Sequence, residues 1–319
     1  MTDMTHRRLG GSGLAVSTVG LGCNNFGRKL DLAASRPVID AALDEGITLF
    51  DTSDSYGASE EILGEALEGR RDRVVLATKF GSDLQGANGP DWGARGSRRY
   101  IRIAVERSLR RLRTDWIDLY QLHFPDPSTP LEETLAALDE LVHEGKVRYV
   151  GSSNLVAWRV TDADWLARTH GLERFVSAQN HYNLLDRRVE AELTPACQQL
   201  GISILPYFPL ASGLLTGRYR RGEPAPAGSR LQEWGMERQL TGERFDVLER
   251  LERFADERSV TLLDVAIGGL AAQRAVGSVI AGATSVEQVR ANVRAGTWVP
   301  TREDRRDLDA IVVPSTAVG

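Results

Sequence analysis

Eight short apolar runs, each followed by a stretch with helical spacing, constrain the fold of this chain more than any other feature. The runs are "VSTVGLGC", "ITLFD", "VVLATKF", "WIDLYQLHF", "VRYVGSS", "FVSAQN", "ISILPYF" and "VGSVIAG". They are mostly continuous rather than alternating, as expected of parallel strands buried on both faces. Between them lie amphipathic stretches with helix punctuation. "PLEETLAALDELVHEG" opens at Pro130 and stops at Gly145, and "PVIDAALDEG" stops at Gly46. "RRYIRIAVERSLRRL" and "SVEQVRANVRAG" repeat the theme, whereas Pro195 is expected to kink or split "RRVEAELTPACQQLG". This order predicts an α/β chain folded as one (β/α)8 TIM barrel domain over residues 1–319. An open doubly wound sheet competes, but no GxGxxG follows the first run.

Three segments stand outside the repeat. Residues 6–17 read as a β-hairpin plugging the N-terminal end of the barrel. Residues 82–96 and about 212–241 are long, Gly-rich connections after the third and seventh runs. Both fall on the C-terminal face, where barrels carry their sites. The segment after residue 300 is short and helical in pattern, so no long C-terminal lid is expected.

Composition excludes several classes of partner. A net charge of -5 argues against nucleic acid. No apolar run reaches the roughly 18 residues of a membrane span. The start, "MTDMTHRRLGGSGL", lacks the apolar core of a signal peptide. Cys23 and Cys197 form neither a disulfide framework nor a metal-ligand cluster. A cytoplasmic location and no metal are expected; oligomeric state leaves no signature in the sequence.

The stretch "FDTSDSYGASEEILGEAL" starts as a strand and ends as a helix, with an unusual density of polar groups between. Asp51 ends the second run and Tyr56 follows it. Lys79 ends the third run and His123 the fourth. Singly, these are a turn acid, a loop aromatic, a lysine snorkelling off a strand end and a satisfied core histidine. Together, adjacent strands deliver an acid, a phenol, a cation and an imidazole to one rim. A phenol with pKa near ~10 is a poor proton donor at neutral pH; a neighbouring ammonium favours its phenolate and lowers that pKa. The carboxylate keeps the lysine charged, and a neutral histidine can hydrogen-bond a carbonyl oxygen. The set is a general acid aimed at a carbonyl. A carbonyl that receives a proton must also receive an electron pair, so a hydride donor is required.

The C-terminal half offers groups to hold one. Ser153, Asn154 and Gln179 supply hydroxyl and amide groups suited to a carboxamide, and Tyr207 a ring face. Thr284 and Ser285 stand at a helix start with Glu287 and Gln288 at capping-box distance. A helix N-terminus there would bind phosphate, although taken alone it is simply a well-capped helix.

With these motifs the chain resembles the aldo-keto reductase family. The likeness runs through "GLGCNNFG", "DTSDSYGASEEILGEAL", "ATKFG", "DLYQLH", "VGSSN", "QNHYNLL", "PYFPLASGLLTG" and "GATSVEQVRANV", covering nearly the whole length. It implies an NAD(P)H-dependent carbonyl reductase acting on a small-molecule carbonyl substrate, with NADPH favoured over NADH. By motif, Tyr56 is the general acid, Lys79 and Asp51 its tuning pair, and His123 the substrate-orienting residue. The resemblance also implies that Gly22, Cys23 and Asp51 border the cofactor. Ser153, Asn154 and Gln179 would bind its carboxamide, and Tyr207 would stack on its nicotinamide. Leu210, Gly213, Leu214 and Arg218 would follow the pyrophosphate. Gly282, Thr284, Ser285, Gln288 and Asn292 would form the adenosine-phosphate pocket. Departures are Phe208 for a common serine, Ala281 for proline, Ala291 for glutamate, and no basic residue at 282 or 288. The substrate pocket is expected to draw on Phe26, Trp92, Phe124 and Trp234, suiting an apolar or aromatic carbonyl.

Two other classes compete. A nicotinamide-binding redox sensor with little turnover would keep the fold, as do relatives that serve as channel subunits. A metal-dependent hydrolase would need a carboxylate–histidine ligand set that the sequence lacks.

Overall fold

A computed structural model describes residues 4–312; residues 1–3 and 313–319 of the expected single domain lie outside the described residues. Strands β1 (His6–Arg8) and β2 (Ala15–Ser17) pair antiparallel, with His6 opposite Ser17. The other eight are β3 (Val19–Gly22), β4 (Leu49–Asp51), β5 (Val75–Phe80), β6 (Ile117–Leu122), β7 (Val147–Ser153), β8 (Ser177–His181), β9 (Ser203–Tyr207) and β10 (Val279–Gly282). They form one parallel sheet in the order β10-β3-β4-β5-β6-β7-β8-β9. The sheet closes where Ile204 N–H donates to Ala275 O at 2.6 Å and Gly277 N–H to Ile204 O at 3.0 Å. Each predicted run supplies one barrel strand, and the first divides at Thr18 between hairpin and barrel.

Helices α1 (Leu32–Asp44), α2 (Ser59–Ala66), α3 (Arg98–Leu112), α4 (Leu131–His143), α5 (Ala157–His170) and α6 (Leu193–Leu200) follow successive strands. After β9 come α7 (Arg230–Glu233), α8 (Gly242–Glu257) and α9 (Leu262–Ala271), and after β10 come α10 (Val286–Ala295) and α11 (Arg302–Ile311). Their starts are set by side chains that accept from the free N–H groups of the first turn. Asp31 accepts from Ala34 N and Ser97 from Tyr100 N. Pro195 falls in the first turn of α6, where no intrahelical donor is needed, so its run splits into a 3-10 turn (Arg188–Glu190) and a helix.

The main core lies between the strands and the surrounding helices. A separate cluster fills the lower barrel: Leu49, Ala77, Leu119, Leu205 and Ile280 point inward and meet Leu9 and Val16 of the hairpin. The hairpin therefore plugs the N-terminal end, and what remains open is the C-terminal rim.

Candidate active site

Two residues beyond that apolar ring, the same strands present polar groups. Asp51 follows Leu49, Lys79 follows Ala77, and Gln121 follows Leu119. The period of two in a strand keeps each pair on one face. Lys79 Nζ donates to Asp51 Oδ2 at 2.6 Å and to Thr52 O at 2.8 Å. The other Asp51 oxygen accepts from Gln179 Nε2 at 2.8 Å and Gln121 Nε2 at 3.2 Å. The Tyr56 hydroxyl lies 3.5 Å from Lys79 Nζ. Tyr56 arrives by a turn closed by its own N–H to Ser53 O at 3.1 Å. Gly57, at φ 59, then redirects the chain toward α2.

Burial and charge set the protonation states. Burial disfavours the Lys79 charge, but Asp51 and Tyr56 outweigh it and its pKa is raised. Lys79 is thus a fully buried cation, tolerable because it is paired and hydrogen-bonded. For Tyr56, burial raises the pKa and Lys79 opposes it; burial wins. This corrects the expectation of a net lowered phenol: the lysine acts in the expected direction but does not prevail. Tyr56 is a protonated donor at neutral pH, beside a cation able to stabilise the phenolate it leaves. His123 is pushed down to about 3 by burial and then by Lys79, so its ring is neutral. Its edge-on ring centroid lies 5.9 Å from that of Tyr56. Its Nδ1 sits between Ser82 Oγ at 2.8 Å and Ser53 Oγ at 3.1 Å.

On the far rim, Ser153 Oγ donates to Gln179 O at 2.9 Å. Asn154 takes φ 60 and donates to His123 O at 2.9 Å, while the Tyr207 hydroxyl donates to its Oδ1 at 2.8 Å. His181 stacks on the Tyr207 ring at 5.5 Å. The connection after β9 holds Phe208, Ala211, Ser212 and Gly213 at positive φ. Leu210 in this connection is half-buried. Gly22 and Gly282 are register partners on neighbouring strands. Ser285 caps α10, Gln288 Oε1 accepts from Thr284 N–H at 2.8 Å, and Asn292 Nδ2 reaches Gly282 O at 3.5 Å. Arg218 is exposed and makes no ion pair among the described residues.

Several expected positions face elsewhere. Phe26 is fully buried in the main core and presents no surface to a substrate. Its loop turns back at Gly27 (φ 75), where a Cβ would come within 2.7 Å of Ala58 N. Trp92 is 77% exposed, with its ring under the Arg99 guanidinium rather than against the other pocket aromatics. The Cys23 thiol is buried and pushed well above its usual pKa by burial, and Leu214 packs in the cluster under α8. Phe124, by contrast, stacks on His123 at 4.5 Å, and Trp234 stands edge-on to Phe208 at 6.0 Å.

Sequence reasoning also missed residues at the rim. Gln121 reads in the sequence only as part of a strand. Arg230 of α7 reaches Asn25 Oδ1 at 3.3 Å with its guanidinium against the Phe208 and Trp234 rings, 5.2 and 5.0 Å from their centroids. Lys29 and Glu233 pair at 2.5 Å beside it. Nothing local in the sequence signals contacts this distant along the chain.

Residues 18–313 match the Aldo/keto reductase family. The chain is 37% identical to an uncharacterized oxidoreductase, YrpG, of Bacillus subtilis, over 92% of this chain and 91% of the relative. It is 37% identical to the versiconal hemiacetal acetate reductase of Aspergillus parasiticus, over 83% and 84%. A probable voltage-gated potassium channel subunit beta of Arabidopsis thaliana is 35% identical, over 93% and 92%. With the motifs, the barrel and these likenesses in agreement, the chain belongs to the aldo/keto reductase family of nicotinamide-dependent oxidoreductases.

Proposed function

We propose that this enzyme reduces aldehyde or ketone carbonyls to alcohols with NADPH, Tyr56 delivering the proton. The observation that carries the reading is the Tyr56 hydroxyl 3.5 Å from a buried, carboxylate-bound Lys79 Nζ, next to a neutral His123. A bound reduced nicotinamide supplies hydride to the carbonyl carbon. His123 orients the carbonyl oxygen, and Tyr56 gives that oxygen its proton as negative charge develops there. Lys79 stabilises the resulting phenolate, and Asp51 holds the ammonium in place. Phe124 and Trp234 favour an apolar or aromatic substrate.

The chain's donor set fits the cofactor. Ser153, Asn154 and Gln179 carry hydroxyl and amide groups for a carboxamide. Asn154 takes a left-handed backbone conformation, which for a non-glycine residue persists only where its surroundings demand it. Arg218 and Arg230 lack a bonded carboxylate among the described residues, leaving two guanidinium groups for a pyrophosphate. Preference for NADPH rests on the N-terminus of α10, whose dipole and free N–H groups favour a phosphate. A 2′-phosphate there would take over the Thr284 N–H now bonded to Gln288. A cytoplasmic setting accords with two unpaired, buried cysteines.

The likeness to a probable channel subunit leaves a second reading, a nicotinamide-binding regulatory module with little turnover. The complete tetrad argues for the enzyme. Tyr56→Phe decides between them: general acid–base steps are worth roughly 10²–10⁴-fold, so kcat should fall by at least the lower figure with NADPH binding and melting temperature retained. A folded, cofactor-binding Tyr56→Phe protein with near wild-type kcat overturns the assignment.

A further inference from the structure

One acid at the rim has no role in that chemistry. Asp54 lies between Asp51 and Tyr56 in sequence, is buried, and makes no ion pair among the described residues. Its Oδ1 is 3.2 Å from Ser53 Oγ, and Ser53 Oγ is 3.1 Å from His123 Nδ1. Its Oδ2 is 3.4 Å from Asn88 Nδ2, which also reaches the Tyr100 hydroxyl at 3.4 Å. Building on the reading of His123 as the carbonyl-orienting group, we propose that Asp54 is a positioning residue for it. Through the Ser53 hydroxyl, Asp54 selects which ring nitrogen of His123 carries the proton.

Ser53 has a single proton, for which Asp54 and His123 compete along with the Ser55 hydroxyl at 2.9 Å, itself able to donate to Ser53 instead. When Asp54 is protonated it competes weakly for that proton, and Ser53 can donate to Nδ1. Nδ1 is then an acceptor, and the imidazole proton resides on Nε2, free to hydrogen-bond a carbonyl oxygen. When Asp54 is ionised, a charge-assisted bond draws the Ser53 proton to the carboxylate. The Ser53 lone pairs then face Nδ1 and favour Nδ1–H, leaving Nε2 bare and unable to donate. Ser82 Oγ, 2.8 Å from Nδ1, can serve either tautomer and moderates the coupling.

The surroundings of Asp54 poise it for this role. Glu60 on α2 raises its pKa by repulsion, and Arg111 on α3 and Lys79 on β5 lower it. Glu60 is itself held by Arg111 at 2.7 Å and by Thr78 at 2.6 Å. Tyr100 of α3 and Tyr120 of β6 face the same pocket. Burial outweighs all of these and pushes Asp54 up to about 8. The Oδ1 of Asn88 is buried without a partner; turning that amide over would give a protonated Asp54 an acceptor. Titration of Asp54 is therefore separated from that of Tyr56, whose phenol burial pushes up from its ordinary value.

The test combines the pH profile of kcat/KM for carbonyl reduction with ¹⁵N spectra of histidine-labelled protein. Only five histidines are present, so His123 can be assigned by its loss in His123→Asn. In wild type, kcat/KM should decline through pH 8, by up to about tenfold at pH 9, while the His123 pattern shifts from Nε2–H toward Nδ1–H. Asp54→Asn and Ser53→Ala should each lack that limb, and Ser82→Ala should deepen it. The proposal is overturned if the wild-type His123 tautomer is the same at pH 7 and 9, or if both variants keep the wild-type limb. Should Asp54→Asn not fold, the wild-type spectra and Ser53→Ala decide. Wild type without carbonyl reduction at any pH would instead defeat the functional reading, with the spectra still judging the role of Asp54.

Discussion

Two layers inside one barrel, separated by a single step of strand periodicity, have opposite characters. The lower holds Leu49, Ala77, Leu119, Leu205 and Ile280 against the hairpin plug. The upper holds Asp51, Lys79, Gln121 and Gln179, equally buried but bonded to one another. The lower layer gains from removing apolar surface from water. The upper pays desolvation and recovers it only through complete pairing. One layer is built for stability, the other holds charge where a reaction needs it.

The sharpest way to break the contrast is Lys79→Met. It removes the cation beside Tyr56 and strands the Asp51 carboxylate in a dry site. We expect kcat to fall by at least about 10²-fold and unfolding free energy by about 3–5 kcal/mol, measured by steady-state kinetics and denaturant titration. Asp51→Leu with Lys79→Met, which makes the upper layer resemble the lower, should regain much of the stability and none of the activity. Activity in that double variant would show that the pair is structural.

Leu119→Ala is the converse. It should cost about 2–5 kcal/mol in the same titration and leave kcat of the folded enzyme nearly untouched. A large kcat effect would mean that the layers are mechanically coupled.

Titration sharpens the comparison further. A carboxyl has an unfolded pKa near ~3.9, whereas folded Asp54 lies at about 8. Folding therefore takes up a proton between those values, and this group's contribution to stability is lost as pH rises from about 4 to about 8. His123, held down at about 3, acts oppositely. Its contribution is present above its unfolded value of about 6.5 and lost as pH falls toward about 3. The stability of Asp54→Asn relative to wild type should thus grow across pH 4–8. A constant difference would place Asp54 at an ordinary pKa.

The smallest expected effect lies farthest from both layers. Thr284→Ala with Gln288→Ala should weaken NADPH more than NADH in fluorescence titrations. The predicted difference is modest, because surface helix-terminus interactions are worth about 0.3–1 kcal/mol. Equal losses for both cofactors would remove the phosphate from this helix end.

The barrel strands and the meeting of Asp51, Tyr56, Lys79 and His123 at one rim were legible because continuous apolar runs break into polar residues at strand ends, a signal carried by local order. The plug was legible because residues 6–17 precede the repeating strand-then-helix order and stand outside it. Phe26 and Trp92 were not, because one backbone turn decides whether a loop aromatic faces in or out. Gly27 turns Phe26 into the core, and Trp92, at φ 48, lies against Arg99. Arg230 was hidden by distance, since it meets Asn25 from 205 residues away along the chain. The net rise in the Tyr56 pKa was hidden because sequence names the neighbouring lysine but not the depth of burial that outweighs it.

The hairpin plug also bears on the order in which the molecule can be completed. Leu9 shares a buried cluster with Leu205 and Ile280, Gly10 N–H donates to Ser203 Oγ at 2.8 Å, and Arg7 donates to the carbonyls of Ala271 and Val276. At roughly 5–20 residues per second, a ribosome reaches Leu205 about 10–40 s after Leu9. Throughout that interval the first-made segment lacks its later partners, and the lower layer stays incomplete. Such long-range closure is slow, and it leaves the apolar lower layer open to water until the last strands arrive.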